Sequence, residues 1–553
     1  MKKLIRLWFT IRHLRLRQIV FQCYYRFLFR TDKVAKLVKK AERGHLVPLT
    51  KDFTPSLSQL SPNQQFFPPA RFTFLNLTVD FEQLHRIDWN YAEHGKLWTY
   101  NLNYFEFLRS PEISFNQGSD LILSWIEKAE GHRDGWEPYP MSLRIVNWLQ
   151  FHREHGREIR PLFDLALRRQ YLDLWTKLEY HLDGNHLLEN AIALLMAALY
   201  FDDRAGIQRA ANLFVAQQKS QYLADGGHYE RSPMYHCILL WRQLDLWSWL
   251  ITAAPATRKL CYNTCGDPRK LLGVEAIKIQ LSLQLSWLNN MVDENGHYPH
   301  FNDSTDGIAP MPAQLFNYAN ALGLVPSDLP LSDSGYRHLQ SGELDLWIDA
   351  APIGPDHIPG HAHADSLTFC LSYAGQPLIV DTSISTYEKN QRRHFERSTI
   401  AHNTVVIGGQ NSSEVWGGFR VGARAKTRIE SEEVSQLTAS HHGYRDIHRR
   451  YFELTDNELR IIDKTGNAPG VAHFHLASGL KARVENGSVV VVTEQTTSAS
   501  AENLLVFSFG NAESSIRLDC YELATGFNQL VNCVVIVVQF QSELTTKIKI
   551  NIQ

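Results

Sequence analysis

The chain changes texture near residue 335, and that switch constrains its fold more than any other feature. From about residue 118 to 325, segments such as LFDLALRRQYLDLWTKLEYHL, NAIALLMAALYF and ILLWRQLDLWSWLITAA carry apolar residues three and four apart, the spacing of helices. Polar connectors bearing Gly and Pro, such as HRDGWEPYP and LADGGHYERSP, separate them. Paired helices with short links suit a bundle, a solenoid or a toroid. After about residue 335 the segments are short, β-branched and turn-bounded: LTFCLSYAG, NTVVIGG, GSVVVVT, VNCVVIVVQFQ. That is the texture of an antiparallel sandwich. Helices first and strands afterwards mean separate domains rather than alternating strand–helix units. A length of 553 residues also exceeds one ordinary core.

Charge is spread unevenly. Residues 1–43 hold 13 Lys/Arg against Asp32 and Glu42, a balance of +11, so the rest of a chain with net charge −2 carries −13. Two readings stay open for this arm: a basic helical segment packed on an acidic body, or attachment to an anionic membrane surface. Leu, Ile, Trp and Phe interleave with its arginines, as the second requires. Its longest uncharged run, Gln18 to Tyr25, contains two Gln and precedes no small-residue cleavage pattern, so no signal peptide is expected. No run of about 18 apolar residues is present, so no membrane span is expected. Among Cys23, Cys237, Cys261, Cys265, Cys370, Cys520 and Cys533, only Cys261 and Cys265 are close, without a second pair at zinc-finger spacing. Reduced, structural thiols in a cytosolic setting are the expectation. The 13 Trp and 21 Tyr suit either cores or a cleft that stacks on sugars. Nucleic acid is not among the expected partners.

Four polar clusters concentrate chemistry. In PGHAHADS (359–366), an extended backbone would place His361, His363 and Asp365 on one face. In GNHLLEN (184–190), Asn185, His186 and Glu189 can crowd one end of a helix, or Asn185 can simply cap it. DGGHYERSPMYH (225–236) packs His228, Tyr229, Glu230, Arg231, Tyr235 and His236 into a loop and helix start, with Pro233 opening the helix. GHYPHFNDS (296–304) is the weakest of the four. In the strand-rich half, His363, Asp381 and His402 lie 18 and 21 residues apart, a spacing that suits a two-His, one-carboxylate zinc set on successive strands. Ordinary His–Asp hydrogen-bond pairs have the same spacing.

Taken in order, NHLLEN, DGGHYERSPMYH, PGHAHADSLTF, LIVDTSISTY and ERSTIAHNTVVIGGQNSSEVWGGFR resemble the heparinase II/III-like polysaccharide lyases. WTYNLNYFEFL and GWEPYPMSLRIVNW resemble their N-terminal helical domain. The resemblance runs from about residue 90 to 430 and continues more loosely to the C-terminus. It implies an α+β chain, an incomplete (α/α) toroid over 71–334 followed by an antiparallel β-sandwich over 335–553 with the substrate cleft between them; the basic, mostly helical arm over 1–70 is outside the resemblance and unassigned.

The implied chemistry is β-elimination, in which the C5 proton of a uronic acid is removed and the C4–O glycosidic bond breaks. By that resemblance Asn185 and His186 face the uronate carboxyl, and Glu189 holds His186 or helps protonate that carboxyl. Tyr235 is the general acid, or also the base for one C5 epimer, and His361 is the base for the other. His363, Asp381 and His402 match a structural Zn2+ site, leaving Asp365 for orientation or turn capping. Arg144, Arg397 and Asn403, together with Glu230 and His236, are expected to bind the anionic polysaccharide. Two alternatives remain: a zinc-dependent hydrolase, and a non-catalytic polysaccharide-binding or assembly protein. Without an export signal, the expected place is the cytoplasm or the inner membrane surface, in making or trimming exopolysaccharide or capsule.

Overall fold

The computed structural model describes residues 2–27, 65–155, 161–253, 274–493, 504–510 and 515–551. Cys261 and Cys265 lie outside these residues. Two helices, Lys2–Ile11 and Leu16–Phe27, open the chain. A small antiparallel sheet follows, with strands Phe66–Phe67, Arg71–Phe74 and Leu77–Asp80. Its Phe66, Phe72 and Phe74 are buried in the core of the helical domain. A boundary at residue 70/71 therefore cuts through this sheet, whose residues 65–70 belong with the helices rather than with the arm.

Nine helices between Lys96 and Ala321 make the helical domain among the described residues. Helix Gly184–Tyr200 packs against Pro138–His155, Pro161–Thr176, Arg204–Gln221 and Pro233–Thr252. Its sequence, GNHLLENAIALLMAALY, is apolar or small nearly all round, which demands burial on every side. Every residue of it is buried except His186. The exception faces the cleft.

Sheets dominate after Tyr336, and all their pairings are antiparallel. An eight-stranded sheet runs in the order 427–433, 436–441, 448–454, 458–464, 543–550, 505–510, 488–493, 480–485. Two four-stranded sheets oppose it, one of 336–341, 344–349, 369–373 and 376–379, the other of 516–526, 529–540, 470–475 and 405–407. Leu346, Phe369, Phe452, Phe474, Phe507 and Ile536 meet in a single core between them. The architecture is a helical domain followed by an antiparallel sandwich.

Candidate active site

A cleft of about 1250 Å³ opens between the two domains. Asn185, His186 and Tyr235 line it from the helices, and His361, Tyr387 and Phe419 from the sandwich. Each is positioned by a local device. Asp183 precedes helix Gly184–Tyr200, and Gly184 has φ +55°. A Cβ at Gly184 would meet Glu230 Oε1 at 2.1 Å, so glycine lets that carboxylate approach the helix N-terminus. There Glu230 accepts from Asn185 N and Asn185 Nδ2, both at 2.9 Å. Asn185 is thus not a helix cap. Its amide is turned into the cleft, 3.4 Å from His361 Nε2.

Tyr235 sits in the first turn of helix Pro233–Thr252, whose cap, Ser232, accepts from the Tyr235 backbone N at 3.1 Å. Its ring lies against His361, with centroids 3.9 Å apart, and its hydroxyl is 3.2 Å from that of Tyr387. Burial raises the Tyr235 pKa above the ordinary phenol range, so the side chain is a neutral proton donor.

His186 has its Nδ1 at 3.0 Å from Glu179 Oε1, and Glu179 is further held by Asn190 Nδ2 at 3.0 Å. Burial pulls the His186 pKa down, but the Glu179 carboxylate outweighs it and leaves the value raised. Glu179, not Glu189, holds His186. Glu189 is fully buried, 3.8 Å from Arg242 Nε, and burial pushes its pKa up to about 8. It is a core group that does not line the cleft.

The PGHAHADS segment is an irregular loop, not a strand; the next strand begins at Phe369. Distant segments hold it: Asp303 N donates to His361 O at 3.1 Å, and Ala364 N to Arg397 O at 3.0 Å. His361 still faces the cleft while His363 is fully buried. Both histidines reach one carboxylate, Asp303, through His361 Nδ1 at 2.9 Å and His363 Nε2 at 2.8 Å. Arg393 binds that carboxylate with both terminal nitrogens, one of them at 2.7 Å from Oδ2. Burial alone would raise the Asp303 pKa, but Arg393 and the two imidazoles bring it well below the ordinary value.

His363, Asp365 and His402 each bring a potential ligand atom within 4.8 Å of the others. His363 Nδ1, Asp365 Oδ2 and His402 Nε2 are all buried without a hydrogen-bond partner. Three orphaned ligand atoms converging in the buried interior fit a divalent cation. Asp381 differs from the sequence expectation. It lies behind His402, accepting from Nδ1 at 2.7 Å, because it follows strand Gln376–Ile379 on the far side of that ring. Asp365, two residues beyond His363 on the same loop, faces the site instead. Burial lowers the His363 pKa to about 3, so its imidazole is neutral and able to ligate.

Four expected substrate-binding residues lie away from the cleft lining. Arg144 is fully buried, donating to Gln170 Oε1 at 2.7 Å and stacked 3.9 Å over Trp125. Arg397 holds the loop through Ala362 O at 2.8 Å. Asn403 clamps strands, donating at 2.8 Å to both Phe369 O and Val380 O. His236 is buried, with Nε2 3.0 Å from Gln284 O. Glu230, by contrast, does line the cleft. Tyr387 lay unremarked inside LIVDTSISTY, and Asp303 inside the weakest cluster. Glu179 had no sequence signal.

Residues 325–551 match the family model described as heparinase II/III-like, C-terminal. The sandwich domain belongs to the heparinase II/III-like family. No curated protein sequence matches the chain significantly. Among solved structures, a heparinase III superposes with TM-score 0.65 at 15% identity, over 96% of this chain and 91% of its own. The heparan sulfate lyase HepC from Pedobacter heparinus, in a mutant form, gives 0.56 at 16% identity, over 95% and 84%. These likenesses establish the fold, an incomplete toroid joined to a heparinase II/III-like sandwich.

Proposed function

We propose that this protein is a polysaccharide lyase that cleaves a uronic-acid-containing glycan by β-elimination. The convergence of Asn185, His186, Tyr235 and His361 on one cleft carries the reading. Asn185 Nδ2 and a protonated His186 oppose the uronate carboxylate and stabilise the charge that spreads into it as C5 loses its proton. His361 Nε2, with Nδ1–H donated to Asp303, takes that proton. The C5–H electrons form the C4=C5 bond and the C4–O bond breaks. Tyr235 donates its phenolic proton to the leaving oxygen, the role its raised pKa favours over that of a base.

The solved lyases of the same fold support this assignment: HepC is described as acting on heparan sulfate. A divalent cation, zinc by the sequence expectation, would be held by His363, Asp365 and His402 with Asp381 behind. Bound there, it would lock the loop that carries His361. As part of the same proposal, the glycan is an exopolysaccharide or capsule made by the cell itself. The test is incubation with a panel of uronate polysaccharides, following the ultraviolet absorbance of the unsaturated uronate. A rise absent in Tyr235→Phe supports elimination; chain shortening without that absorbance overturns it.

A further inference from the structure

The two N-terminal helices have no part in this chemistry, yet they lie across the cleft. Leu7, Ile11, Leu14 and Ile19 line it together with the catalytic side chains. Both domains pin them there. On the helical side Arg15 pairs with Asp183 at 3.2 Å and Phe21 packs on Tyr180 at 4.6 Å, while buried Gln18 donates at 3.3 Å to His357 O of the sandwich half. On the sandwich side Arg6 pairs with Glu414 at 2.5 Å, and Trp416 Nε1 donates to Thr10 Oγ1 at 3.2 Å.

The face turned away from the cleft is apolar too. Leu4, Trp8, Leu16 and Val20 are 71%, 61%, 76% and 54% exposed, and none of them lines the cleft. With Ile5, five of the 21 exposed large apolar side chains among the described residues fall between Leu4 and Val20 and do not line the cleft. Helices apolar on both faces are normally covered on both. Charge indicates the cover. Residues 1–27 hold seven Lys/Arg and no Asp or Glu. Arg12 contacts His13 and Arg17 lies 3.4 Å over the Tyr180 ring, and neither has a carboxylate partner among the described residues. A second copy would set these two unpaired arginines against their own counterparts, a repulsive arrangement. Apolar side chains flanked by arginines match the headgroup and acyl boundary of an anionic bilayer.

We propose that the outer face of this helix pair seats the protein on an anionic lipid surface, so that the roof of the cleft is also its membrane anchor. No described helix is long and apolar enough to cross a membrane, so the contact is one of lying on the surface. The inference does not depend on the reaction: it holds for whichever glycan enters the cleft. It places the cleft beside the bilayer, within reach of glycan held there.

The test is cosedimentation of the full chain with vesicles of phosphatidylcholine, with and without phosphatidylglycerol. The expected result is binding to anionic vesicles alone, released by about 1 M salt, where the Debye length is about 3 Å. The triple variant Leu4→Glu/Trp8→Glu/Leu16→Glu, which leaves Arg6 and Arg15 in place, should bind at least about tenfold more weakly. Should it fail to fold, Arg12→Glu/Arg17→Glu, which removes no apolar contact with the cleft, should show the same loss. Equal binding to neutral vesicles, or no binding to either, overturns the proposal. So does a wild-type dimer that the triple variant converts to monomer, because the cover would then be a second copy.

Discussion

Asp303 Oδ2 lies 2.9 Å from His361 Nδ1, while Oδ1 of the same carboxylate lies 2.8 Å from His363 Nε2. One acid therefore sets two tautomers in opposite senses. His361 keeps its Nε2 lone pair for the cleft, and His363 keeps its Nδ1 lone pair for a cation. Asp303→Asn offers an amide where three donors need an acceptor. It should lower kcat by about 10²–10⁴-fold, the contribution of a positioned base. It also leaves Arg393 buried without its counter-charge, and should cost about 3–5 kcal/mol of stability. Steady-state kinetics and denaturant unfolding measure the two effects separately. An unchanged kcat in a folded variant would remove Asp303 from the positioning role.

Tyr235→Phe removes one hydroxyl, whose recorded side-chain partner is the Tyr387 hydroxyl at 3.2 Å. The ring remains against His361, so folding should be unaffected and the melting temperature nearly unchanged. Loss of the general acid should lower kcat by about 10²–10⁴-fold with little change in KM. A variant retaining more than a tenth of wild-type kcat would transfer the acid role elsewhere. Tyr387→Phe, which leaves the Tyr235 phenol in place, should be much milder.

The Glu179–His186 pair sets a pH limb. Burial lowers the His186 pKa, and Glu179, with Glu230 and Glu137 further off, more than reverses this. The imidazolium that opposes the substrate carboxylate is present below the raised pKa and is lost as pH rises through it. The value of kcat/KM should therefore fall on the alkaline side of the usual His range, near 6.5. Glu179→Gln removes the raising charge, and the limb should move to lower pH. A limb that stays in place would assign it to another group.

The two-domain plan was legible because the period of the apolar pattern changes with the fold. Strands such as 488–493, 505–510 and 529–540 announce themselves through β-branched runs. Strands 427–433, 436–441, 448–454 and 516–526 were not legible: TRIESEE and IRLDCYELATG put charged groups on open faces, leaving no apolar run. At the site, sequence neighbours gave the right loops but the wrong partners. Glu189 follows His186 by three residues, but that position turns inward to Arg242. The acid that binds His186 comes from Glu179, in the connector before the helix. Arginine was read as anion recognition, yet Arg144 and Arg397 satisfy backbone and core groups that no local pattern reveals.

Arg144 offers a direct check of that correction. Its guanidinium has a core role, bonded to Gln170 Oε1 and Asn103 O and stacked on Trp125. Arg144→Ala should destabilise the helical domain by about 2–5 kcal/mol through lost packing and unpaired acceptors. KM for the polysaccharide should not change at a temperature where the variant is folded. A raised KM with unchanged stability would return Arg144 to substrate binding.

The cation pocket makes the last prediction. His363, Asp365 and His402 present orphaned atoms to one another, and Asp381 fixes the His402 ring from behind at 2.7 Å. The purified protein should carry about one equivalent of zinc by elemental analysis, and His402→Ala should carry none. Asp381→Asn keeps the three donors facing the site but weakens the acceptor that orients one of them. It should reduce zinc affinity about 10–100-fold while retaining stoichiometry at saturation. Chelation should lower the melting temperature, because a ligand of the native state stabilises it in proportion to its occupancy. Had Asp381 been a direct ligand, Asp381→Asn would abolish stoichiometric binding and Asp365→Asn would be the milder change. The order of those two variants therefore decides which carboxylate the cation meets.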